Sequence, residues 1–385
     1  MDIKQQEYKI NHFKIKGFRR LFDIDLPMQP FMVIIGVNGA GKTSLLDAFS
    51  LLSASAAGNL NTKLSQLGGV VNILTRGKSE RIEFSIDMEI PGHKPLEYEL
   101  CLAPQGTGYS IAMEKLEQKQ QSHSTPFMHI NSSGHNICYF DTDKKKIVHV
   151  DWEHNYLETS LSQVPKMFRQ PEELRRILAT AVKYHTLDVG PNAPVRLPQQ
   201  MKPATGPGIN GEDLVPYLYY LRETSKDRFE VITDSLKAAF PDFEELGFPP
   251  VASGMLTVTW KDKNFSKPLY LNELSEGSLR FLWLASLLQS SALSAVTMID
   301  EPDVSLHPKL MHILAELMRE ASTRTQLIVA THSDRFVRFV KPEELTIFDL
   351  DENGATSIIR ANSLDLEKWL SEYRLDELWT MGYLE

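Results

Sequence analysis

A short apolar run followed directly by a glycine-rich turn restricts the folds open to this chain. The run is FMVIIG, residues 31–36, and the turn continues as VNGAGKT, residues 37–43. A strand without polar side chains is typical of a position buried on both faces of a parallel sheet. The residues after the turn have helical apolar spacing. This order of strand, turn and helix predicts an α/β fold with a parallel core sheet.

The turn itself fits the pattern of a phosphate-binding loop, or P-loop. Its glycines allow backbone N–H groups to close around a phosphate, while Lys42 neutralises phosphate charge and the Thr43 hydroxyl reaches Mg²⁺. We therefore expect ATP to be bound as a complex with Mg²⁺. The predicted nucleotide-binding residues are Gly36, Asn38, Gly39, Gly41, Lys42, Thr43 and Ser44.

A second apolar strand ends in two acidic residues. It reads AVTMIDEPD, residues 295–303, so that Asp300 and Glu301 follow the strand directly. A strand that simply ends in a polar turn would give the same pattern. Together with a P-loop, however, the pair predicts that Asp300 holds Mg²⁺ and that Glu301 is the general base or positions the attacking water.

A third apolar strand lies in the segment TQLIVATHSD, residues 325–334, with His332 at the end of the strand. A lone histidine is more often structural than catalytic. Ligands of open α/β sheets bind at the carboxyl ends of the strands, however. His332 is therefore predicted to contact the γ-phosphate.

The segment NELSEGSLRF, residues 272–281, precedes a run of apolar residues. Its simplest interpretation is the start of a helix from about Leu279 to Leu288, capped by Ser275 or Ser278. A helix amino terminus with glycine and hydroxyl groups beside it is also suited to binding an anion.

The order of these motifs resembles the head domain of ABC-type ATPases. Leu274–Ser278, LSEGS, matches the signature motif of that family, with Ser275 and Gly277 at the characteristic positions. In the family, the signature contacts ATP held by another subunit. The resemblance therefore implies a homodimer that encloses two ATP molecules, and a higher oligomer is left open.

Three longer segments resemble the RecF/SMC-like and OLD-like group of these ATPases. They are INHFKIKGFRRLFDIDL at residues 10–26, VIIGVNGAGKTSLLDA at residues 33–48 and DEPDVSLHP at residues 300–308. The tail, LEKWLSEYRLDELWTMGYLE, resembles those of short stand-alone ATPases related to bacterial anti-phage modules, and its spacing predicts an amphipathic helix from Ser363. The resemblance implies an ATPase that acts on DNA or gates an effector partner, such as a nuclease, in DNA repair or phage defence.

Two departures from the group narrow this expectation. The chain has no long heptad run, which SMC-type members need for their coiled coil. Only 53 residues follow His332, too few for the metal-dependent toprim domain of OLD nucleases, so we expect no nuclease activity in this chain. An energy-coupling subunit of a membrane transporter is the alternative; the long interval from Lys42 to Ser275 and the SLHP turn argue against it. A P-loop kinase or GTPase would leave the LSEGS segment and His332 without roles.

The predicted organisation is a nucleotide-binding core with an antiparallel β subdomain, residues 1–160 and 255–385, and an inserted helical lobe, residues 161–254. Gln199 and Gln200, in a Pro/Gly-rich loop of the insert, are candidates for the glutamine that completes the Mg²⁺ shell, or are only polar loop residues. Arg19 and Arg20 lie where the group often places basic residues near nucleotide or DNA. A solvated strand end is the alternative for both.

The overall charge limits how the chain could bind nucleic acid. Asp and Glu number 50 against 41 Lys and Arg, a net charge of −9, so any DNA contact requires a local basic surface. The amino terminus carries charges where a signal peptide needs apolar residues. The most apolar window, near residues 281–299, contains Gln289 and several serines. We therefore expect a soluble cytoplasmic protein without a membrane partner.

Overall fold

A computed structural model of the chain describes residues 8–119, 126–141, 145–149, 153–291 and 293–361. The helix predicted from Ser363 lies outside these residues. Two large sheets and the helices between and around them form a mixed α/β structure. The predicted fold class, a parallel P-loop core with an antiparallel β subdomain and a helical lobe, is confirmed.

The strands and helices are defined here in chain order. The first ten strands are β1 (Lys9–Phe18), β2 (Leu21–Pro27), β3 (Phe31–Gly36), β4 (Ile82–Glu89), β5 (Leu96–Gln105), β6 (Gly108–Gln118), β7 (Phe127–Ser132), β8 (Cys138–Asp141), β9 (Lys146–His149) and β10 (Val182–Tyr184). The following strands are β11 (Gln199–Gln200), β12 (Phe243–Gly247), β13 (Pro250–Val251), β14 (Met255–Leu256), β15 (Thr259–Asp262), β16 (Leu269–Tyr270), β17 (Val296–Asp300), β18 (Gln326–Ala330), β19 (Leu345–Leu350) and β20 (Thr356–Arg360). The helices are α1 (Lys42–Ala56), α2 (Leu60–Gln66), α3 (Val70–Ile73), α4 (Arg169–Ala179), α5 (Leu214–Thr224), α6 (Lys226–Ala239), α7 (Glu276–Leu288), α8 (Pro308–Ala321) and α9 (Asp334–Val337).

The core sheet has the strand order β10-β17-β18-β3-β19-β20, and all neighbours are parallel except β19 and β20. Every residue of β3 and β18 is buried, as their apolar sequences predict. Along β3, Met32 and Ile34 join the apolar core on one face, whereas Val33 and Ile35 join the core on the other. The P-loop strand is therefore fixed from both sides.

The antiparallel sheet has the order β2-β1-β4-β5-β6-β7-β8-β9. Its inner face packs on α1, where the rings of Phe13 and Phe49 lie 4.1 Å apart. The carboxylate of Glu114 is wholly buried and accepts hydrogen bonds from the backbone N–H groups of Ser160 and Leu161 at 2.5 and 2.7 Å. These bonds attach the β subdomain to the segment that leads into the helical lobe.

The segment predicted as a helical insert contains α4, α5 and α6, but it does not stand wholly apart from the core. Its strand β10 forms the edge of the core sheet and pairs in parallel with β17. The predicted boundaries, 161–254, therefore place one strand of the core sheet in the insert. A three-residue strand has too few residues to show a pattern in the sequence. Within the described residues, none of the helices combines the length and apolarity that crossing a bilayer requires.

Candidate functional site

The glycine-rich turn joins the end of β3 to the start of α1. Gly36 has a φ of 144°, and a Cβ there would lie 1.9 Å from the carbonyl oxygen of Phe348. Gly41 precedes the first residue of α1 with a φ of 104°, and a Cβ there would lie 2.7 Å from Oγ1 of Thr356. Both positions thus require glycine because of backbone conformation and space.

Lys42 is folded back onto this turn. Its Nζ lies 2.5 Å from the carbonyl oxygen of Gly36 and 3.3 Å from that of Val37. Burial lowers the pKa of Lys42, and the charges of Glu301 and Asp300 act in the opposite direction. The lysine therefore lies within electrostatic reach of both acids.

The other predicted residues of the loop differ in accessibility. Asn38, Gly39 and Thr43 are exposed, and Ser44 is half-buried. The Thr43 side chain thus stands open to solvent in the first turn of α1, where the helix dipole favours anions.

The register of the core sheet brings the other predicted residues to the same edge. Asp300, at the end of β17, is paired with Ala330, and Ala330 is paired with Ile34 of β3. Two further backbone bonds continue these strands: Glu301 N–H donates to Ala330 O at 2.8 Å, and Thr331 N–H donates to Ile34 O at 3.0 Å. The carboxyl ends of β17, β18 and β3 therefore present Asp300, Glu301, His332 and the P-loop side by side.

Glu301 and His332 form a close pair. Oε2 of Glu301 lies 2.6 Å from Nδ1 of His332, an ion-pair contact, although this oxygen is buried and has no hydrogen bond of regular geometry. The contact with Glu301 raises the pKa of His332, and burial opposes the rise. Glu301 also has a φ of 53°, in the left-handed region that a non-glycine residue seldom adopts. Backbone strain of this kind clusters at functional sites.

Four charged side chains from distant parts of the chain form a network beside this pair. Lys183 of β10 lies 2.9 Å from Oδ1 of Asp47 and 3.3 Å from Oδ2 of Asp300, and only 5% of its side chain is exposed. Arg19 lies 2.6 Å from the other oxygen of Asp47, which is on α1. Burial acts to raise the pKa of Asp47, but Lys183 and Arg19 outweigh it and the pKa is lowered. Asp300 thus has a cationic neighbour that sequence reasoning missed.

Replacing Lys183 by methionine is expected to destabilise the fold by about 3 kcal/mol, because it leaves the half-buried Asp300 without its cation and Asp47 with Arg19 alone. Because the pKa of Asp47 is lowered in the folded state, its ionised carboxylate stabilises the fold fully at pH values above the ordinary pKa of 3.8. This stabilisation is lost as the pH falls through the lower pKa of the folded state. The variant should therefore lose less stability on acidification than the wild type. Chemical denaturation from neutral to acid pH measures both effects.

Lys166→Met is the matched control, because Lys166 is exposed and its replacement breaks no buried pair. Mg²⁺ alone should stabilise Lys183→Met more than the wild type, since Asp300 is released from its lysine. Equal stability of the two methionine variants would contradict a structural role for the network.

The LSEGS segment begins a helix, as one interpretation predicted, but α7 begins at Glu276 rather than near Leu279. Oγ of Ser275 accepts a hydrogen bond from the N–H of Ser278 at 3.1 Å and caps the helix. A Cβ at Gly277 would lie 2.7 Å from the carbonyl oxygen of Ser305, in the turn after β17. Gly277 therefore has a packing role within its own chain, independent of any nucleotide.

Arg280 joins the start of α7 by hydrogen bonds to the turn that follows β17. Its Nη1 donates to Oγ of Ser305 at 2.5 Å and to the carbonyl oxygen of Val304 at 3.2 Å. Ser275 and Glu276 remain exposed. Within the part of the chain that the structure describes, no hydrogen bond or ion pair joins Leu274–Ser278 to the P-loop. The surface of the segment is open to another molecule, and its contact with a second subunit remains a prediction.

Of the two glutamine candidates, Gln199 has its side-chain amide occupied within the insert loop. The Gln199 amide is buried and fully engaged: Nε2 donates to the carbonyl oxygens of Pro194 and Gly211, and Oε1 accepts from the N–H of Val215. Gln200 pairs through its backbone with Met255. In this structure the polar atoms of Gln199 hold the insert loop together, and a role of either glutamine in the Mg²⁺ shell stays a prediction.

On the insert side, the residues that follow β10 also approach the two acids. Oγ1 of Thr186 donates to the carbonyl oxygen of Glu301 at 3.4 Å. Burial lowers the pKa of His185, with Lys183 acting in the same direction. Arg20, one of the two predicted basic residues, is exposed, whereas Arg19 is committed to Asp47.

The donor set fits Mg²⁺ bound together with phosphates. Mg²⁺ prefers oxygen ligands and is usually held by one or two protein groups plus substrate phosphates. The exposed Thr43 hydroxyl and the Asp300 carboxylate supply this chemistry at adjoining parts of the edge.

The sequence of residues 31–338 matches the family described as "AAA domain, putative AbiEii toxin, Type IV TA system". The chain belongs to this family. The matched range includes the P-loop, the LSEGS segment, both acids and His332. A 43-residue stretch is also 49% identical to an OLD nuclease of Thermus scotoductus (strain ATCC 700910 / SA-01). That stretch is 11% of this chain and only 8% of the nuclease.

Solved structures with similar folds include heads of Smc proteins. An Smc head bound to the C-winged helix domain of ScpA superposes with a TM-score of 0.56 at 14% identity, covering 94% of this chain and 99% of that one. An Smc head with an extended coiled coil, bound to the C-terminal domain of ScpA derived from Pyrococcus furiosus, gives 0.55 at 12% identity, covering 94% and 98%. The fold is that of an ABC-type ATPase head, and the predicted resemblance to the ABC and OLD-like ATPases is confirmed.

Proposed function

We propose that this member of the AAA family binds ATP with Mg²⁺ and hydrolyses it at a site shared by two copies of the chain. The observation that carries the proposal is the meeting of Lys42, Asp300, Glu301 and His332 at one edge of the core sheet. A glycine-rich loop, a lysine and acidic side chains that hold Mg²⁺ or position the attacking nucleophile are groups that recur in enzymes of phosphoryl transfer.

Each residue has a separate task in this mechanism. The backbone N–H groups of the P-loop hold the β-phosphate, and Lys42 exchanges its contact with the Gly36 carbonyl oxygen for phosphate oxygens. Mg²⁺, held by Thr43 and Asp300, would neutralise charge on the phosphates when bound. Glu301 orients the attacking water and accepts its proton as the bond between the γ-phosphorus and the bridging oxygen breaks. His332, held by Glu301, lies where it can donate to the γ-phosphate.

The second half of the site comes from a partner copy. Among the described residues, no hydrogen bond or ion pair joins Ser275 or Gly277 to the P-loop of their own chain. Ser275 is also exposed and so accessible to a second copy. One chain carries one P-loop and one LSEGS segment, so a two-fold homodimer completes two sites at once. ATP would then stabilise the dimer, and hydrolysis would favour its separation.

The biological role that we propose is to act on DNA, or to gate an effector partner such as a nuclease, in DNA repair or phage defence. The family description names a toxin and a toxin–antitoxin system, and the short identical stretch belongs to a nuclease. Both are compatible with an ATP-controlled effector. A higher oligomer built from this dimer would be detected by the same measurement of mass in solution that tests the dimer.

The test of this proposal is the mass of the protein in solution with and without Mg²⁺ and ATP. We expect a monomer without nucleotide, a dimer with ATP and release of phosphate with time. Lys42→Ala should bind no ATP and stay monomeric, because the charge that holds the phosphates is gone. A wild-type protein that binds ATP and remains monomeric would exclude the shared site, and one that releases no phosphate would exclude hydrolysis.

A further inference from the structure

An open groove of about 770 Å³ lies on the antiparallel sheet and the segment that leads into α4. Its lining comes from the turn between β4 and β5, from the ends of β6 and β7, from β8 and from residues 167–171. It shares no residue with the nucleotide-binding site. We call it the basic groove, defined by Lys94, Lys119, Arg169, Phe127, Phe140 and Phe168.

The charges of the basic groove are all of one sign. Lys94, Lys119 and Arg169 are exposed, and no carboxylate lines the groove among the residues that the structure describes. Among the described residues, none of these three side chains has a hydrogen bond or ion pair. The nearest acid in sequence to Arg169 on the same helix is Glu172, which instead binds Arg175 through contacts of 2.5 and 2.7 Å. A chain with net charge −9 thus has a local positive field here.

The aromatic side chains of the groove are half-buried and fixed by their neighbours. Phe127 packs against Phe140 with ring centroids 4.4 Å apart, and against His129 at 4.7 Å. Phe168 stacks on Tyr139 at 6.2 Å with the ring planes 19° apart. Burial lowers the pKa of His129 to about 4, so at neutral pH this histidine is uncharged and its ring packs edge-on against Phe127.

We propose that the basic groove binds single-stranded nucleic acid, with phosphates on the cations and bases against the phenylalanine rings. Basic residues that follow a backbone and aromatic rings that stack with bases are the two elements of single-strand binding sites. A duplex offers its phosphates but not its base faces, so it uses only half of this surface. A groove of this volume also lies within the roughly 300–1,000 Å³ typical of ligand sites. The biological role of such binding rests on the proposed action on DNA, whereas the binding itself is inferred from the groove alone.

The first test measures binding of a fluorescent oligothymidylate of about 20 nucleotides, a length that spans known single-strand sites. Reversing the groove charges with Lys94→Glu, Lys119→Glu and Arg169→Glu should weaken binding at least about tenfold and reduce the salt slope of the affinity by about 2. The control reverses Lys226, Lys237 and Lys267, which are exposed residues outside the groove, to glutamate. Both variants change the net charge equally, so equal losses of affinity would overturn the assignment of the site.

The second test separates stacking from charge. Phe127→Leu with Phe168→Leu keeps apolar side chains but removes the rings, and should weaken binding about tenfold or more. Polyglutamate serves as a competitor: if it displaces the oligonucleotide as well as unlabelled oligothymidylate does, the groove binds acidic peptide and the proposal is wrong. Should the leucine variants fail to fold, the charge reversals at exposed positions still decide the question.

Phosphate release from ATP, measured on the same variants, separates this inference from the proposed function. We expect the groove variants to retain basal ATP turnover, because they alter no residue of the nucleotide site. A wild-type protein that hydrolyses ATP but binds no oligothymidylate overturns the groove and leaves the ATPase intact. One that binds oligothymidylate through the groove without ATP-dependent dimerisation supports the groove and overturns the shared ATP site.

Discussion

Replacing Glu301 by glutamine is expected to slow ATP turnover by about 10²- to 10⁴-fold, the usual contribution of a general base. Glutamine has the same shape as glutamate but does not accept the proton of the attacking water. The P-loop, Lys42 and Asp300 are unchanged, so ATP should still bind. A dimer that forms around ATP would then persist, because the step that separates it has been removed.

Phosphate release and the solution mass with Mg²⁺ and ATP test this prediction together. Glu245→Gln on β12 is a matched control, since its side chain is 69% exposed and lies outside the site. The control should hydrolyse ATP and cycle between monomer and dimer as the wild type does. Wild-type turnover in Glu301→Gln would remove Glu301 from the mechanism. A monomer with ATP bound would instead argue against the dimer.

The same variant has a readout that does not depend on turnover. Contact with Glu301 raises the pKa of His332 above the ordinary 6.5, and Lys42 only partly opposes it. Without the carboxylate charge, that pKa should fall. Titration of the histidine resonances by NMR would reveal the change in the nucleotide-free protein. An unchanged pKa would mean that the close pair of Glu301 and His332 does not persist in solution.

That the P-loop, Asp300, Glu301 and His332 meet at one edge could be predicted because each of them follows an apolar strand. Runs such as FMVIIG and TQLIVA identify buried parallel strands, and in a parallel sheet all carboxyl ends lie at one edge. The P-loop, Asp300, Glu301 and His332 could thus be grouped before their contacts were known. Their distances, such as the 2.6 Å between Glu301 and His332, depend on strand register and required the structure.

The charge network around Asp300 had no comparable signal. Arg19, Asp47 and Lys183 are distant in sequence, and each alone fits an ordinary surface charge. Lys183 lies on the three-residue strand β10, too short for apolar periodicity to identify. The proposed basic groove escaped prediction for the same reason, because its residues come from several separate hairpins and the start of α4. Sequence patterns identify elements, whereas sites built between elements depend on how those elements pack.

The LSEGS segment illustrates how one residue can serve two purposes. Ser275 caps α7, and Gly277 allows α7 to approach Ser305, so both residues have reasons to occur within a single chain. Only an experiment that depends on the partner can separate these roles from nucleotide binding in a second subunit. Ser275→Arg is suitable because Ser275 is exposed: the fold loses one helix cap, about 1 kcal/mol, while a bulky cation blocks the shared site.

Mixing Ser275→Arg with Glu301→Gln, each inactive alone, is expected to restore about one quarter of wild-type hydrolysis if subunits pair at random in a two-fold dimer. In the mixed dimer, one site contains both defects. The other combines intact Glu301 from one chain with intact Ser275 from its partner. If each chain used its own signature, every site would keep one defect and the mixture would stay inactive.

The control for this experiment mixes His332→Ala, which keeps the P-loop and should still bind ATP and dimerise, with Glu301→Gln. Both changes act on the nucleotide that the altered chain itself binds, so each site of a mixed dimer keeps one defect and hydrolysis should not return. Recovery in the first mixture but not in the second identifies a site shared between subunits. If both mixtures recovered hydrolysis, mixing two inactive variants would restore activity without a site shared between subunits. The shared-site mechanism would then be wrong.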